Sequence, residues 1–189
     1  MSVLILNAAI FLADFGLFGF LLLFLILAAD AVWRGHYLPT SNRARRNIAK
    51  IVSEHKSASK FYDLGCGHGG LALYIKSRFP SLCVRAIDNS LVRILFAKMT
   101  ALFLLRRVQF IQKNIFDADI SDADIVYAYL WYDLLPPLEK KLRKELKQGA
   151  IVITNTSHFP NWEPIKKIVT HTKITGIPDF ETLFVYRKD

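Results

Sequence analysis

An acid followed by closely spaced glycines, Asp63-Leu64-Gly65-Cys66-Gly67-His68-Gly69-Gly70, is the stretch of this chain best suited to hold a ligand. A short apolar run precedes it and a helical pattern follows it. In an open α/β sheet, ligands bind at such a strand-to-helix turn, beyond the carboxyl ends of the strands. Gly65, Gly67 and Gly70 satisfy GxGxxG, so a nicotinamide or flavin dinucleotide has to be weighed. Asp63 argues against one, because a strand-end carboxylate would repel a pyrophosphate laid over the turn. The methionyl end of S-adenosylmethionine carries an ammonium and a sulfonium, which the same carboxylate attracts. One such contact at about 4 Å is worth about 4 kcal/mol at an effective dielectric near 20. Asp63, Gly65, Cys66, Gly67 and Gly69 are therefore the candidate cofactor residues of the turn.

Further acids and aromatics follow at strand ends. Asp88, at the end of the second predicted strand, is placed to accept from both hydroxyls of a ribose, and Asn89 to add a contact; a dinucleotide would use the position equally well. The third strand runs into Asn114-Ile115-Phe116-Asp117, where Asn114 or Asp117 can accept from an adenine amine and Ile115 or Phe116 can pack on the ring. Methyl transfer from a sulfonium is an in-line displacement with a neutral leaving group, so a protein has mainly to align donor and acceptor and keep an amine acceptor unprotonated. Burial lowers an ammonium pKa, and an aromatic slot provides burial. Tyr127, Tyr129, Trp131 and Tyr132 at the fourth strand end, with Asp133 beside them and Trp162 after the fifth strand, are the candidates, two or three of them facing the pocket and the rest core. Of these, Tyr129, Trp131 and Trp162 are the assigned catalytic residues. The Asn-Pro-Pro-aromatic motif of many enzymes that methylate nucleobases or glutamine is absent there, which argues against a base as acceptor, although the aromatics could stack on one.

The elements that must position these residues alternate. Strand-like runs at Lys60–Leu64, Cys83–Asp88, Val108–Gln112, Ile125–Leu130 and Ala150–Asn155 are interleaved with helical patterns at Gly70–Arg78, Leu91 to about Leu105 and Leu134–Lys147. That alternation specifies a doubly wound, mostly parallel α/β sheet of the Rossmann-like kind. Two last strands, Lys173–Gly176 and Thr182–Arg187, are expected to bracket a Pro178-Asp179 turn and bring the total to seven, the final one antiparallel. The helix from Leu91 is apolar nearly all round, broken by Arg93, Lys98 and Thr100. It is too short and too charged to span a membrane, and its outer face is expected to pack on an anchor, a bilayer surface or another copy.

Every Lys and Arg lies at or after Arg34. From Val3 to Ala29 only Asn7 and Asp14 interrupt the apolar run, and as a helix this reaches about 40 Å, more than the roughly 30 Å of a hydrocarbon core. A span at about Phe11–Val32 moves Asp14 and Asp30 toward opposite interfaces and sets Trp33 at headgroup level. Arg34, Arg43, Arg45, Arg46 and Lys50 then follow on one side, which the positive-inside bias makes the cytoplasmic or mitochondrial matrix side. A cleaved signal peptide ending at Ala29-Asp30-Ala31 lacks the positive n-region, and a core helix apolar on all faces needs a larger protein around it. The expected organisation is an anchor over 1–33, a linker with an amphipathic first helix over 34–56, and a catalytic domain over 57–189. Beyond residue 33 the chain has 25 basic and 14 acidic side chains, a net +11 that favours anionic surfaces; beside an anchor, lipid explains this more simply than nucleic acid. Cys66 and Cys83 form no close pair and the histidines no ligand spacing, so neither a disulfide framework nor a metal is expected.

At the glycine turn the sequence resembles the seven-β-strand methyltransferases, whose first motif is an acidic, glycine-rich turn. It is similar, more narrowly, to the membrane-bound lysine methyltransferases of mitochondria that modify the ATP synthase c-subunit and the adenine nucleotide translocase, and to their prokaryotic relatives. Tyr37-Leu38-Pro39-Thr40, Leu138-Glu139-Lys140-Lys141-Leu142 with Glu145-Leu146, Gly149-Ala150, and Phe159-Pro160-Asn161-Trp162-Glu163-Pro164 carry that likeness over about residues 10–170. The chain departs from those enzymes at His68, where they usually have an acid, and at Asp88, where they have Glu. The resemblance implies an S-adenosylmethionine-dependent enzyme with Tyr37, Pro39 and Thr40 over the cofactor, and a lysine of a membrane protein as acceptor. The alternatives are a lipid or small amine as acceptor, or a membrane-tethered module that binds the cofactor without transferring from it.

Overall fold

Seven short runs rich in Val, Ile, Phe and Tyr pair into one sheet: β1 (Lys60–Leu64), β2 (Cys83–Asp88), β3 (Gln109–Gln112), β4 (Ile125–Ala128), β5 (Ile151–Asn155), β6 (Lys166–Ile174) and β7 (Ile177–Arg187). This is a computed structural model that describes residues 2–34, 38–174 and 177–189. The strand order is β3-β2-β1-β4-β5-β7-β6, with β1 to β5 parallel and β7 antiparallel to both its neighbours. The order reverses between β1 and β4, so the carboxyl ends of those strands flank the topological switch point where such sheets bind ligands.

The chain forms two compact units, Met1–Leu38 and Pro39–Asp189. In the first, α1 (Ser2–Arg34) is one continuous helix whose side chains from Ile5 to Ile26 are all exposed. Its stretch Ile5–Asp30 is long and apolar enough to be a candidate membrane span. In the second, α2 (Asn42–Glu54) begins at Ser41, whose Oγ accepts from the Ala44 amide. It buries Ala44, Ile48, Ile51 and Val52 and leaves Arg43, Arg46 and Lys50 in solvent. With α3 (Gly70–Arg78) and α4 (Leu91–Phe103) it covers one face of the sheet, where Phe61, Val84, Ala86, Ile125, Ile151, Ile153 and Leu183 form the core. α5 (Leu135–Glu145), with Pro at its first turn where no amide donor is needed, covers part of the other face through Leu135, Leu138 and Leu142.

The last two strands differ from expectation. β6 begins at Lys166, and Pro178-Asp179 lies within β7, Pro178 opposite Lys173. In Lys166-Lys167-Ile168-Val169-Thr170-His171 the burial alternates, Ile168 and Thr170 inward and Lys167 and Val169 outward, but the flanking lysines and histidine obscure that period in the sequence. Pro178 is tolerated because β7 there extends past the end of β5 and pairs on one side only.

Under β1 and β2 the second face, with Tyr62, Leu64 and Ile87, is covered by Ile115, Ala118, Ile120 and Ala123 of the chain between β3 and β4 instead of a helix, and the same connection carries a charged cluster. Asp122, in the 113–124 connection, receives Lys60, the Tyr62 hydroxyl at 2.6 Å and Arg85 at 3.1 Å. The Lys60 and Tyr62 donors, with Arg85 close by, hold its carboxyl down at about 2, against the opposing effect of burial. A carboxyl lowered on folding stabilises above its unfolded value, about 3.9, and ceases to do so as pH falls through its folded value. The melting temperature of Asp122→Asn is therefore expected below the parent's at neutral pH, with the two curves converging between about pH 4 and pH 2; a constant offset down to pH 2 would show that the charge is not what matters.

Candidate functional site

The glycine turn lies where the end of β1 meets α3. Gly65, Gly67 and Gly69 have φ of 75°, 52° and 75°, a region that costs other residues strain. A Cβ on Gly65 would come within 2.5 Å of Leu130 Cδ2, and one on Gly69 within 2.5 Å of the Phe110 ring. Glycine is thus required at both by backbone angle and by space. The Gly65 and Cys66 amides both donate to Ile87 O, at 2.8 and 3.0 Å, which staples the turn to the end of β2.

Two carboxylates sit side by side beneath it. Asp88, 5% exposed, accepts from the Gly67 amide at Oδ2 and the Ser90 amide at Oδ1, both at 2.9 Å. It thereby ties the turn to the start of α4, which Ser90 caps through the Arg93 amide. Asp63 is 2% exposed, and its Oδ2 accepts from no group among the described residues. Burial and the neighbouring Asp88 raise its carboxyl to about 7, against the lowering influence of the Ala72 amide in the first turn of α3 and of Arg45 on α2. Burial also pushes the Cys66 thiol up, and both acids add to that, so this cysteine is a poor nucleophile.

A second polar cluster joins the carboxyl ends of β4 and β5 to Glu181 in the first half of the antiparallel β7. Thr40 Oγ1 and Tyr127 OH are 2.9 Å apart, and Asn155 Nδ2 donates to Tyr127 OH at 3.3 Å and to Glu181 Oε1 at 3.1 Å. Glu181 also accepts from the Ser41 amide at 3.3 Å, from Ser41 Oγ, and from Thr170 Oγ1 at 2.8 Å. Burial would raise this carboxyl, but the Ser41, Asn155 and Thr170 donors outweigh it and hold it below its ordinary value. Burial drives the Tyr127 hydroxyl far above its ordinary range. Thr156, just after β5, has φ of 67°, uncommon and strained for a β-branched residue, and its amide donates to Thr182 O at 2.8 Å. Neither Asn155 nor Glu181 stands out in the sequence; the available signal was an amide closing the apolar run of β5 and one of two acids in β7.

The structure brings Asp63, Gly65, Cys66, Gly67, Gly69 and Asp88 together at the switch point, with Asn89 exposed beside Asp88. Thr40 is placed through Tyr127, Pro39 is exposed beside it, and Tyr37 lies outside the described residues. Asn114 is exposed and its Oδ1 accepts from the Phe116 amide at 3.1 Å; Phe116 is half-buried, whereas Ile115 packs into the core on the α5 side. Of the aromatics in and after β4, Tyr127 is core, Tyr129 is half-buried, and Trp131 and Tyr132 are 54% and 77% exposed. Trp162 is not brought to this edge. Its ring stacks on Phe159 at 5.7 Å and lies under Arg143 and against Tyr186, which is paired with Val152 well back from the end of β5.

Comparison with solved structures places this arrangement. An RNA methyltransferase from Salinibacter ruber in complex with S-adenosyl-L-homocysteine superposes with a TM-score of 0.69 at 21% identity, covering 79% of this chain and 93% of that one. Magnesium protoporphyrin IX methyltransferase from Synechocystis with bound S-adenosylmethionine gives 0.60 at 12% identity, covering 81% and 87%. The fold is that of the S-adenosylmethionine-dependent methyltransferases. The ANTKMT methyltransferase domain profile matches residues 63–166, and the chain belongs to that family. A protein-lysine N-methyltransferase of Saccharolobus islandicus is 28% identical over 130 residues, 68% of this chain and 80% of that protein.

Replacing Glu181 by Ala strips the acceptor from Ser41, Asn155 and Thr170, at a cost of about 1–3 kcal/mol for buried donors left unpaired. Hydrogen exchange should then accelerate at residues 40–44 and stay unchanged in β1 and β2, with Glu181→Gln intermediate. Exchange at 40–44 equal to the parent's would mean that Glu181 does not hold this segment.

Proposed function

We propose that this methyltransferase modifies a lysine side chain of a membrane protein. The observation that carries the reading is the placement of aromatic residues beside the glycine turn. Tyr129 is half-buried at the end of β4, Leu130 packs against Gly65, and Trp131 and Tyr132 continue into solvent. Such a slot lets a long, flexible amine enter end-on and lose its water. Membership of the family and the likeness to a protein-lysine N-methyltransferase support the same acceptor, and the candidate span in α1 supports a substrate met at a membrane.

The site fits the cofactor. The unpartnered Asp63 Oδ2 suits an ammonium, and burial strengthens that contact. Asp88 retains lone pairs for ribose hydroxyls after accepting two amides, with Asn89 adjacent. Asn114 and Phe116 are available to the adenine, and Pro39 and Thr40, with Tyr37, to cover the site. When bound, S-adenosylmethionine supplies a methyl group on a cationic sulfur. The chain's part is to exclude water, fix the acceptor's approach with Tyr129 and Trp131, and keep the lysine neutral by desolvation. We assign Trp162 to packing beneath β5 and β7 in place of the acceptor role.

Labelled methyl donor, the purified enzyme and a membrane extract test the acceptor: label is expected in a protein band as methyllysine. Label in the lipid fraction would replace this reading with lipid or small-amine methylation, and no label in either would leave a binding module.

The pH dependence follows from Asp63. Its carboxyl is raised on folding, so in the ligand-free protein its favourable contribution is complete below about pH 4 and lost as pH rises through about 7. A cationic ligand requires the ionised form. Affinity for S-adenosylhomocysteine by calorimetry should therefore rise through about pH 7. Asp63→Asn should weaken it about 10- to 100-fold and flatten the profile, while the ligand-free variant melts no lower than the parent at pH 8. Undiminished affinity in Asp63→Asn would remove the ammonium assignment.

A further inference from the structure

α4 presents a face that the fold leaves uncovered. At 100° per residue, Leu91, Leu102, Leu95, Met99, Phe103 and Phe96 fall in one stripe about 140° wide, and all six are at least half exposed, Phe103 at 87%. The core-facing residues Ile94, Ala97 and Ala101 occupy the opposite side. Half-buried Val92 falls within the stripe, Lys98 stands about 20° outside one border and half-buried Arg93 about 60° outside the other, beyond Thr100, and the exposed pair Arg106-Arg107 follows its end.

The end of the helix sharpens the pattern. The Arg106 amide donates to Ala101 O at 2.8 Å and the Leu105 amide to Leu102 O at 3.1 Å, the bonds of a Schellman turn. Leu105 occupies its left-handed position with φ of 53°, where glycine is the usual choice, and its side chain is 86% exposed. A strained backbone thus holds a large apolar side chain outward, beside two arginines, which solubility would select against.

We propose that this face of α4 lies on the bilayer, with Leu95, Met99, Leu102, Phe103 and Leu105 in the acyl boundary and Arg93, Lys98, Arg106 and Arg107 at anionic headgroups. An apolar stripe bordered by cations is the pattern of an interfacial helix, its basic side chains reaching outward to phosphate. Charge complementarity favours this occupant over a second copy, whose matching arginines and lysines would meet the same cations. The inference rests on reading α1 as a membrane span. Five peptide links separate Arg34 from Pro39 and reach at most about 18 Å, so a spanning α1 keeps the catalytic unit at the headgroups whether or not α4 engages them. Phe96 connects the stripe to the site, its ring 4.9 Å from His68 in the glycine turn, so an α4 lying on lipid sets the cofactor edge at the depth of a lysine emerging from the membrane.

Nitroxide collision measurements on the full chain test this, in vesicles of phosphatidylcholine and phosphatidylglycerol. Labels go at Leu95→Cys and Phe103→Cys, with Lys144→Cys on the outer side of α5 and Phe18→Cys on α1 as references, in a Cys83→Ser background and with retained S-adenosylhomocysteine binding as the check on folding. The expected result is an oxygen-to-nickel-chelate accessibility ratio at 95 and 103 several-fold above that at 144 and approaching that at 18. A ratio at 95 and 103 equal to that at 144, with position 18 in lipid, overturns the α4 assignment alone. Low accessibility to both reagents at 95 and 103, or dipolar broadening between copies, assigns the face to protein contact and overturns it as well. An aqueous ratio at position 18 overturns the anchor reading and this inference with it.

Discussion

Two carboxylates that water would keep charged are buried side by side at the ends of β1 and β2, and the geometry of the site follows from how each is compensated. Asp88 is satisfied from within, by amides of the glycine turn and of the residue that caps α4. Asp63 keeps one oxygen without a donor among the described residues and is pushed toward neutrality by burial and by its neighbour. A folded chain tolerates an unsatisfied buried acid only where some other partner repays the desolvation. On the proposed reading that partner is the cationic end of S-adenosylmethionine, the cofactor of this class of enzyme.

The remainder of the site holds that pair in place. Gly65 and Gly69 allow the turn to pass between Leu130 and Phe110 with no side chain in the way. The cluster of Thr40, Tyr127, Asn155 and Glu181 fastens the segment ahead of α2 to β4, β5 and β7, joining parts of the chain 140 residues apart. Tyr127 belongs to that fastening and to the core, whereas Tyr129 is half-buried and Trp131 and Tyr132 are exposed.

The same fold serves methyltransferases whose acceptors are an RNA and a porphyrin, so the acceptor is decided by what surrounds the cofactor edge and not by the sheet. Here the surroundings are the half-buried Tyr129 and the exposed Trp131 and Tyr132 after β4, a basic sequence, and apolar side chains exposed along α4. These features are consistent with one another if the enzyme works at a membrane, where basic and apolar surfaces are both satisfied at once.

What the amino-acid order determined by itself was whatever depends on local period and on charge. Alternating apolar runs and helical patterns specified a seven-stranded, mostly parallel sheet, and an acid before closely spaced glycines specified a cationic ligand. β6 was legible only in part, because the lysines and histidine of an edge strand hide its alternation, and Pro178 suggested a turn where one-sided pairing admits a strand. Tertiary structure alone decided which side chains meet. It sent Trp162 beneath the sheet among Phe159, Tyr186 and Arg143, placed Ile115 in the core, and recruited Asn155 and Glu181 to hold Thr40 and Ser41. Those outcomes turn on which face of a strand a residue occupies and on contacts between distant segments, and neither is encoded in the spacing of neighbours along the chain.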